Sequence, residues 1–438
     1  MKFYDRDKEL DQLNRTMAQS RIEGRMTVVM GRRRIGKTEL VQHCSDSTML
    51  YFFVARKTES LLCQDFVHEA EEKLGIPIGF PNSFADLFRY LLNYSEQHPF
   101  TLIIDEFQDF QKVNPAIFSE VQHEWDTHKR NCHMNLIISG SVFSLMKRIF
   151  EDAEEPLFGR ADQCITLQPF STDVLKEILA DNNPNYKPED LLALFATTGG
   201  VAWYVSLMMN GKHTTRRQML SYLTETNSPF INEGKNILIE EFGTDYVVHF
   251  SILSSIAGGM LTRGEIENQL RTDNIGSYLA RLEKYYGLIE KRLPIFAQDN
   301  SKKVRYALSD NFLTLWFRFF YKYQAYIENG ALAQLARIIE RDYDQFSGFA
   351  LERYFERKLR ETERYTRIGK FWDRKGENEI DLIAVNEIDC VAEIYEIKKD
   401  PRRYSEAALK SKVEALLANC KELSNMEIKL GLLSLKDL

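Results

Sequence analysis

Residues 31–38 constrain the fold more than any other segment, because they read GRRRIGKT and satisfy the pattern GxxxxGK[ST] at every fixed position. An apolar run at residues 27–30 precedes this segment, and the helical pattern TELVQHC follows it. Glycines let successive backbone N–H groups point inward at phosphate oxygens, and the helix N-terminus adds partial positive charge. The segment therefore predicts a phosphate-binding loop between a strand and a helix of an α/β domain.

The residue types of this loop predict ATP and Mg²⁺ as its ligands. Lys37 is expected to reach the β- and γ-phosphates as a catalytic residue, and the Thr38 hydroxyl is expected to bind the magnesium ion. The three arginines receive no individual role, since phosphate, protein and solvent all stay open as their partners. The loop residues predicted to contact the nucleotide are Gly31, Arg32, Arg33, Arg34, Ile35, Gly36, Lys37, Thr38 and Glu39.

An apolar run that ends in two acids follows at residues 101–106, which read TLIIDE. Asp105 at the tip of this strand is expected to hold Mg²⁺ through water, and Glu106 to polarise the attacking water as a general base. A salt bridge at a strand end is the commoner use of such a pair. The phosphate-binding loop upstream favours the catalytic interpretation.

Three further polar residues near predicted strand ends are catalytic candidates. Ser139 and Ser141 lie in LIISGS, where a hydroxyl can orient water or contact the γ-phosphate; an ordinary turn is the equal alternative. Arg160 lies in PLFGRADQCITL, just before the last apolar run. Such an arginine can reach a nucleotide in a neighbouring subunit of a homo-oligomer and neutralise transition-state charge. The alternative for Arg160 is a surface or structural role.

The order of apolar and helical patterns indicates several domains. Short apolar runs at residues 27–30, 50–54, 101–104, 136–139 and 164–167 alternate with helical patterns, which predicts a parallel sheet. Residues 171 to 222 read as helices. Between residues 240 and 310, three helical patterns precede the strands LIEKRLPIF and KKVRYALS, joined by the turn AQDNS, which predicts a winged helix-turn-helix. An aromatic helix, residues 312–327, comes next. The last segment begins with a charged helix at residues 348–361 and continues with short strands and a closing helix.

These motifs together resemble the archaeal-type AAA+/STAND-related ATPase family, which also occurs in bacteria. The opening residues FYDRDKEL are similar to the family's F-x-x-R-x-x-E-L box, and the resemblance implies that Arg6 lies against the nucleotide's adenine. GRRRIGKT, LIIDEFQ, LIISGS, PLFGR and TGG follow in the family's order. One departure is Gly199-Gly200-Val201-Ala202, where the family usually has proline shortly after the two glycines.

Three charged residues in the last segment, Asp381, Glu396 and Lys398, match the D…ExK pattern of PD-(D/E)XK nucleases, which the family's C-terminal domain is thought to resemble. Asp381 and Glu396 are expected to bind Mg²⁺ and activate water, with Glu352 completing the metal shell from a helix. Lys398 lies on the same face of its strand as Glu396 and is expected to position or deprotonate the water, or to stabilise the phosphorane. A salt-bridged β-hairpin with surface charge is the alternative.

The predicted fold is an α/β P-loop NTPase of AAA+-like type with a parallel sheet, a helical lid, a winged helix-turn-helix and a C-terminal α/β restriction-endonuclease-like domain. We place the ATPase core at residues 1–170, the helical lid at 171–238, the winged helix and aromatic helix at 239–345, and the nuclease-like domain at 346–438. The winged helix either contacts DNA or packs between domains. Its basic residues are Arg281, Lys284, Lys291, Arg292, Lys302, Lys303 and Arg305.

Composition narrows the possible partners and location. The net charge of −7 argues against the whole chain being an electrostatic nucleic-acid binder, so a DNA contact would need a local basic surface. Six scattered cysteines without CxxC spacing predict reduced thiols. No run approaches the ~20 apolar residues of a membrane span, and the N-terminus lacks the apolar stretch of a signal peptide. We therefore expect a cytoplasmic protein without membrane partners.

The predicted function is an ATP-driven switch. ATP closes the lid, hydrolysis reopens it, and the winged helix passes this motion to a nuclease-like domain that acts on DNA. Two other classes stay open: a regulator that gates protein partners with an inactive nuclease-like scaffold, and a nuclease that uses ATP only as a structural ligand.

Overall fold

The computed structural model describes residues 1–44, 48–242, 246–298, 301–373, 376 and 378–438. The chain divides into two compact units. The N-terminal unit comprises residues 5–168, and the C-terminal unit comprises residues 1–4 and 169–438. No helix among the described residues combines the length and apolar character needed to cross a membrane.

The N-terminal unit is built on a parallel five-stranded sheet. Its strands are β1 Arg25–Met30, β2 Met49–Phe53, β3 Phe100–Asp105, β4 Met134–Gly140 and β5 Gln163–Thr166, and their order is β2-β3-β4-β1-β5. Its helices are α1 Asp7–Ser20, α2 Lys37–Gln42, α3 Glu59–Leu74, α4 Phe84–Ser95, α5 Phe110–Val113, α6 Ile117–His128 and α7 Phe143–Glu151. The five predicted strands and their parallel arrangement are confirmed.

The position of β4 between β1 and β3 determines where the predicted site forms. Every residue of β3 and β4 is buried, so both faces of these strands are covered, which explains their unbroken apolar runs. Burying each large side chain contributes about 1.5–3 kcal/mol, so the centre of the sheet is its most stable part. Because the strands are parallel, the phosphate loop after β1 and the polar ends of β3 and β4 lie at one edge.

The C-terminal unit begins with helices and a hairpin. The helices are α8 Thr172–Asn182, α9 Pro188–Thr198, α10 Ala202–Asn210, α11 Arg216–Leu223, α12 Phe230–Phe242, α13 Tyr246–Ala257, α14 Arg263–Leu270 and α15 Gly276–Ala280. The antiparallel hairpin consists of β6 Ile289–Arg292 and β7 Arg305–Leu308. The three helices and hairpin expected for a winged helix are present in the predicted order. Residues 299–300 of its predicted turn lie outside the described residues.

The predicted aromatic helix is interrupted. It consists of α16 Asn311–Leu315, a π-helical turn over Trp316–Tyr321, and α17 Gln324–Glu328. Four of the five aromatic side chains of this π-helical turn are buried. The Trp316 indole donates to the Ile231 carbonyl at 2.8 Å. A π turn rotates side chains relative to an α-helix. Here it accompanies the burial of Trp316, Phe317, Phe319 and Phe320.

The remainder of the unit is a mixed sheet with two helices. These elements are α18 Leu332–Glu361, β8 Arg367–Trp372, β9 Glu379–Asn386, β10 Val391–Ile397, α19 Glu406–Asn419 and β11 Glu427–Leu433. The sheet order is β11-β10-β9-β8, with β10 and β11 parallel and the other pairs antiparallel. The helix predicted over residues 348–361 is only the second half of α18, because buried positions such as Leu335, Ile339 and Tyr343 extend the apolar stripe backwards. The domain boundary predicted at residue 346 therefore lies inside a helix.

Candidate functional site

The loop between β1 and α2 has the backbone geometry of a phosphate cradle. Gly36 caps α2 with a φ of 97°, a conformation that L side chains rarely adopt. A Cβ on Gly31 would lie 3.0 Å from the Leu167 carbonyl oxygen, so only glycine fits there comfortably. The buried Lys37 side chain folds back over the loop, and its Nζ donates to the carbonyl oxygens of Gly31 at 2.9 Å and Arg32 at 3.1 Å.

Asp105, at the end of β3, accepts hydrogen bonds from four different positions of the chain. Its Oδ2 accepts from the Thr38 hydroxyl at 3.0 Å and from the Tyr51 hydroxyl at 2.5 Å. Its Oδ1 accepts from the Ser139 hydroxyl and from the Glu106 backbone N–H at 3.0 Å. The loop helix, two neighbouring strands and the strand end therefore all fix this carboxylate.

Glu106 is held in a strained and well-defined conformation. Its φ is 56°, in the left-handed region, which costs a non-glycine residue on the order of 1 kcal/mol or more. The Glu106 Oε2 accepts from the Ser141 hydroxyl at 2.6 Å and from the Gln108 amide at 2.5 Å. The two predicted serines thus contact the two acids, Ser139 on Asp105 and Ser141 on Glu106.

The Thr38 and Asp105 side chains fit a magnesium ion. A hydroxyl oxygen and a carboxylate oxygen lie 3.0 Å apart at the mouth of the loop, and both are hard oxygen donors. Protein Mg²⁺ sites typically use one or two such side chains, with phosphate oxygens and water completing the octahedron. Thr38 and Asp105 would hold the ion between them.

The other residues predicted for the nucleotide site differ in how deeply they are buried and in what they contact. Arg6 is buried, and its Nη2 donates to the Gln168 carbonyl at 2.8 Å. Ile35 is buried, the loop arginines Arg32, Arg33 and Arg34 are partly buried, and Glu39 is exposed on α2. Arg160 pairs with Asp126 at 3.1 Å and donates to the Phe158 carbonyl at 2.8 Å. These contacts within its own unit favour the structural alternative for Arg160.

A second polar cluster lies on the C-terminal sheet. Lys398 Nζ is 3.2 Å from Asp381 Oδ2 and 2.9 Å from Glu396 Oε1, so the three residues of the predicted D…ExK pattern meet. The Ile397 backbone N–H also donates to Asp381 Oδ2, at 2.8 Å. Burial alone would lower the pKa of Lys398, but the hydrogen bonds and charges of Glu396 and Asp381 outweigh burial and raise it. Lys398 therefore carries its positive charge at neutral pH.

Additional lysines hold the acids of this cluster. Lys370 pairs with Glu352, and Lys412 from α19 lies 3.1 Å from both carboxylate oxygens of Glu396. Burial raises the pKa of Glu352, the Asp381 charge adds to this, and Lys370 opposes it. Among the described residues, no three acidic, histidine or cysteine side chains are grouped closely enough to hold a metal by themselves. The metal roles of Glu352, Asp381 and Glu396 stay predictions.

Comparisons with known proteins identify a family that matches the first half of the chain. A family described as an ATPase domain predominantly from Archaea matches residues 3–208. Residues 3–208 form an ATPase domain of this family. A second family, described as archaeal and bacterial proteins of unknown function, matches residues 316–410. The resemblance drawn from the motif order is thereby confirmed, and the Lys37, Asp105 and Glu106 site lies within the ATPase domain.

The chain is also similar to individual proteins from archaea. The chain is 29% identical over 408 residues to an uncharacterised protein of Methanocaldococcus jannaschii, covering 90% of this chain and 87% of that protein. The solved Walker-type ATPase of Pyrococcus abyssi is similar in fold, with a TM-score of 0.53 and 18% identity over 72% of this chain and 96% of that one. The ORC2 protein of Aeropyrum pernix matches with a TM-score of 0.45 and 14% identity, over 78% and 96% of the two chains.

Two contacts of the ATPase domain were not predicted. Tyr51 on β2 and Gln108 after Glu106 each donate to one of the two acids. Gln108 lies inside the LIIDEFQ motif, so its nearness to Glu106 in sequence could have identified it. Tyr51 had no such signal, because the motif spacing does not reveal that β2 neighbours β3.

Proposed function

We propose that the ATPase domain hydrolyses ATP with Mg²⁺ and that its nucleotide state governs a nuclease-like site in the C-terminal unit. The observation that carries the first part is the pairing of Thr38 with Asp105 beside a loop that already encloses the Lys37 ammonium. This arrangement offers a positive charge for phosphate and two oxygen ligands for a divalent ion.

The residues of the loop have separate tasks. Lys37 exchanges its two carbonyl partners for the β- and γ-phosphate oxygens of ATP. Bound magnesium supplies charge neutralisation on those phosphates. Glu106 acts as the general base. Its carboxylate exchanges the hydrogen bonds from Ser141 and Gln108 for the attacking water and then accepts a proton from that water. The hydrogen bonds of Ser141 and Gln108 restrain Glu106 until then.

The nuclease-like part of the proposal is supported by the cluster of Asp381, Glu396 and Lys398 on β9 and the end of β10. Two carboxylates can bind a divalent ion that activates water against a phosphodiester. The pKa of Lys398 is raised by Glu396 and Asp381, and its ammonium contributes positive charge to the developing phosphorane. Nucleic acid is the substrate class that this chemistry fits.

A regulatory scaffold is the second candidate, and the lysine pairs favour it. Glu352, Asp381 and Glu396 are paired with Lys370, Lys398 and Lys412, so three negative charges face three positive ones. A divalent ion would have to compete with these ammonium groups for the carboxylates. In this alternative, the C-terminal unit responds to nucleotide and gates protein partners without cleaving anything.

Helix α18 supports coupling in either case, because this one helix of the C-terminal unit carries both Glu352 of the acidic cluster and Arg357, which contacts residues 169–170 and Gly199. Glu352 on α18 belongs to the acidic cluster, and Arg357 lies five residues later. The Arg357 guanidinium donates to the carbonyls of Gly199 at 3.0 Å, Pro169 at 2.8 Å and Phe170 at 2.5 Å. Residues 169–170 are the first of the C-terminal unit after the ATPase sheet, and Gly199 belongs to the TGG motif.

The hairpin β6–β7 supports a packing role for the predicted winged helix more than a DNA-reading one. The Ile295 N–H donates to the Lys370 carbonyl at 2.8 Å, and the Trp372 indole donates to the Lys303 carbonyl at 3.1 Å. Arg305 pairs with Glu379 at 2.9 Å. Part of the predicted basic surface is therefore committed to contacts with the neighbouring sheet.

Cleavage assays distinguish the two candidates. We expect single- or double-stranded DNA to be cut in the presence of ATP and Mn²⁺ by the wild-type protein and by Lys398→Arg, which keeps the charge. Asp381→Asn and Lys398→Ala should lose at least about tenfold, because a ligand and a charge are removed. Each protein's ATP turnover provides the control for folding. Equal cleavage by Asp381→Asn, or none by any protein, would favour the regulatory scaffold.

A further inference from the structure

Tyr51 contacts the same carboxylate oxygen as Thr38, although it comes from a different strand. Its hydroxyl lies 2.5 Å from Asp105 Oδ2, and the Thr38 hydroxyl lies 3.0 Å from that atom. The Tyr51 side chain is partly buried. The phenol therefore shares Asp105 Oδ2 with the Thr38 hydroxyl, and both donate to it.

The acceptor capacity of Asp105 is fully used. An ionised carboxylate has about four lone-pair sites, two on each oxygen. Ser139 and the Glu106 N–H occupy Oδ1, while Thr38 and Tyr51 occupy Oδ2. Asp105 can therefore contact a magnesium ion or its bound water only if one of these four donors leaves. Thr38 is the expected one, because its hydroxyl oxygen is itself the other side-chain ligand predicted for the ion.

We propose that Tyr51 is a positioning residue of the ATPase site, whose phenol holds Asp105 so that only the lone pair used by Thr38 opens to magnesium. This inference rests on the proposed magnesium site. The phenol keeps one Oδ2 lone pair occupied, Ser139 and the Glu106 N–H keep Oδ1 occupied, and the carboxylate cannot rotate to present another edge.

The packing of β2 allows the Tyr51 hydroxyl to be removed while the ring keeps its place. Leu50 and Phe52 on this strand are fully buried, while Tyr51 points to the opposite side, as alternate strand residues do. Tyr51 pairs in register with Ile103, and Asp105 lies two residues further along β3. A phenylalanine at position 51 would keep the ring and remove only the donor to Asp105.

Nucleotide affinity measured with and without Mg²⁺ tests the proposal. In calorimetric titrations with ADP, Tyr51→Phe should match the wild type when EDTA is present, because the loop and Lys37 are unchanged. The factor by which Mg²⁺ increases ADP affinity should fall by about tenfold, the loss of one hydrogen bond to a charged group. The Mg²⁺ concentration for half-maximal ATP turnover should rise in parallel.

A matched control and three outcomes complete the test. Tyr94→Phe removes a hydroxyl from the same unit, on a ring that stacks against His98, and should behave as wild type. An unchanged magnesium factor in Tyr51→Phe would overturn the proposal. Equal weakening of ADP binding with and without Mg²⁺ would also overturn it, because it would indicate a general structural role. A wild-type protein indifferent to Mg²⁺ would overturn the magnesium assignment itself, and with it the role of Tyr51.

Discussion

Individual residues of the ATPase site are held in place by hydrogen bonds from neighbouring elements of the protein. Asp105 receives donors from α2, β2 and β4 in addition to its own strand end, and Glu106 is restrained by Ser141 and Gln108. Side chains held by several partners lose little freedom when the substrate binds. The serines therefore contribute by orienting the two acids.

Glu106→Gln should separate nucleotide binding from hydrolysis. Glutamine has nearly the same shape and leaves the phosphate loop unchanged, but it cannot accept a proton. ATP turnover should fall by about 100-fold or more, the usual contribution of a general base, while ATP affinity changes by less than about threefold. Steady-state phosphate release and equilibrium binding of ATP measure these two quantities. Wild-type turnover by this variant would exclude Glu106 as the base.

Among the elements, α18 has the largest structural role in the C-terminal unit. It runs for 30 residues and buries Tyr343, Phe346, Leu351 and Tyr354 along one side. Arg353 donates to the carbonyl of Leu308, the last residue of β7, and to the Asn311 side chain at 2.9 Å. Glu361 accepts from the Thr172 N–H at 2.8 Å. One helix therefore joins the hairpin, the first helices of the unit and the C-terminal sheet.

Arg357→Ala should destabilise the C-terminal unit. The substitution leaves three carbonyl oxygens without their charged donor, so we expect a loss of about 2 kcal/mol or more in the free energy of unfolding. Urea unfolding followed by circular dichroism measures the change. Arg341→Ala is the matched control on the same helix, because Arg341 is largely exposed and forms a surface ion pair with neighbouring Asp342. This substitution should cost under about 0.5 kcal/mol. Equal effects of the two substitutions would contradict this role for Arg357.

The sequence predicted those elements whose signals are local. The phosphate loop, the DE pair and the five short apolar runs were each recognisable, and all five strands formed as expected. The Tyr51 contact and the Lys412–Glu396 pair were not predicted, because they depend on which strands and helices become neighbours. The first half of α18 was missed because its apolar residues are separated by many charges, and the π turn because its pattern is that of an ordinary helix.

At the scale of the whole molecule, two arginines hold the chain on either side of the junction between units. Arg6 in the N-terminal unit binds the Gln168 carbonyl, and Arg357 in the C-terminal unit binds the carbonyls of Pro169 and Phe170. Three consecutive carbonyls are thus bound by two arginines far apart in sequence, each acting within its own unit.

ATP binding by Lys37→Ala tests the central claim most directly, since every other step depends on the phosphate loop. The measurement is ATP affinity and turnover in the presence of Mg²⁺, with Lys57→Ala as the control because Lys57 is an exposed lysine of the same unit paired with Asp65. We predict that Lys57→Ala behaves as wild type, while Lys37→Ala loses at least about tenfold in affinity and hydrolyses no ATP above background. Wild-type affinity and turnover in Lys37→Ala would contradict the account.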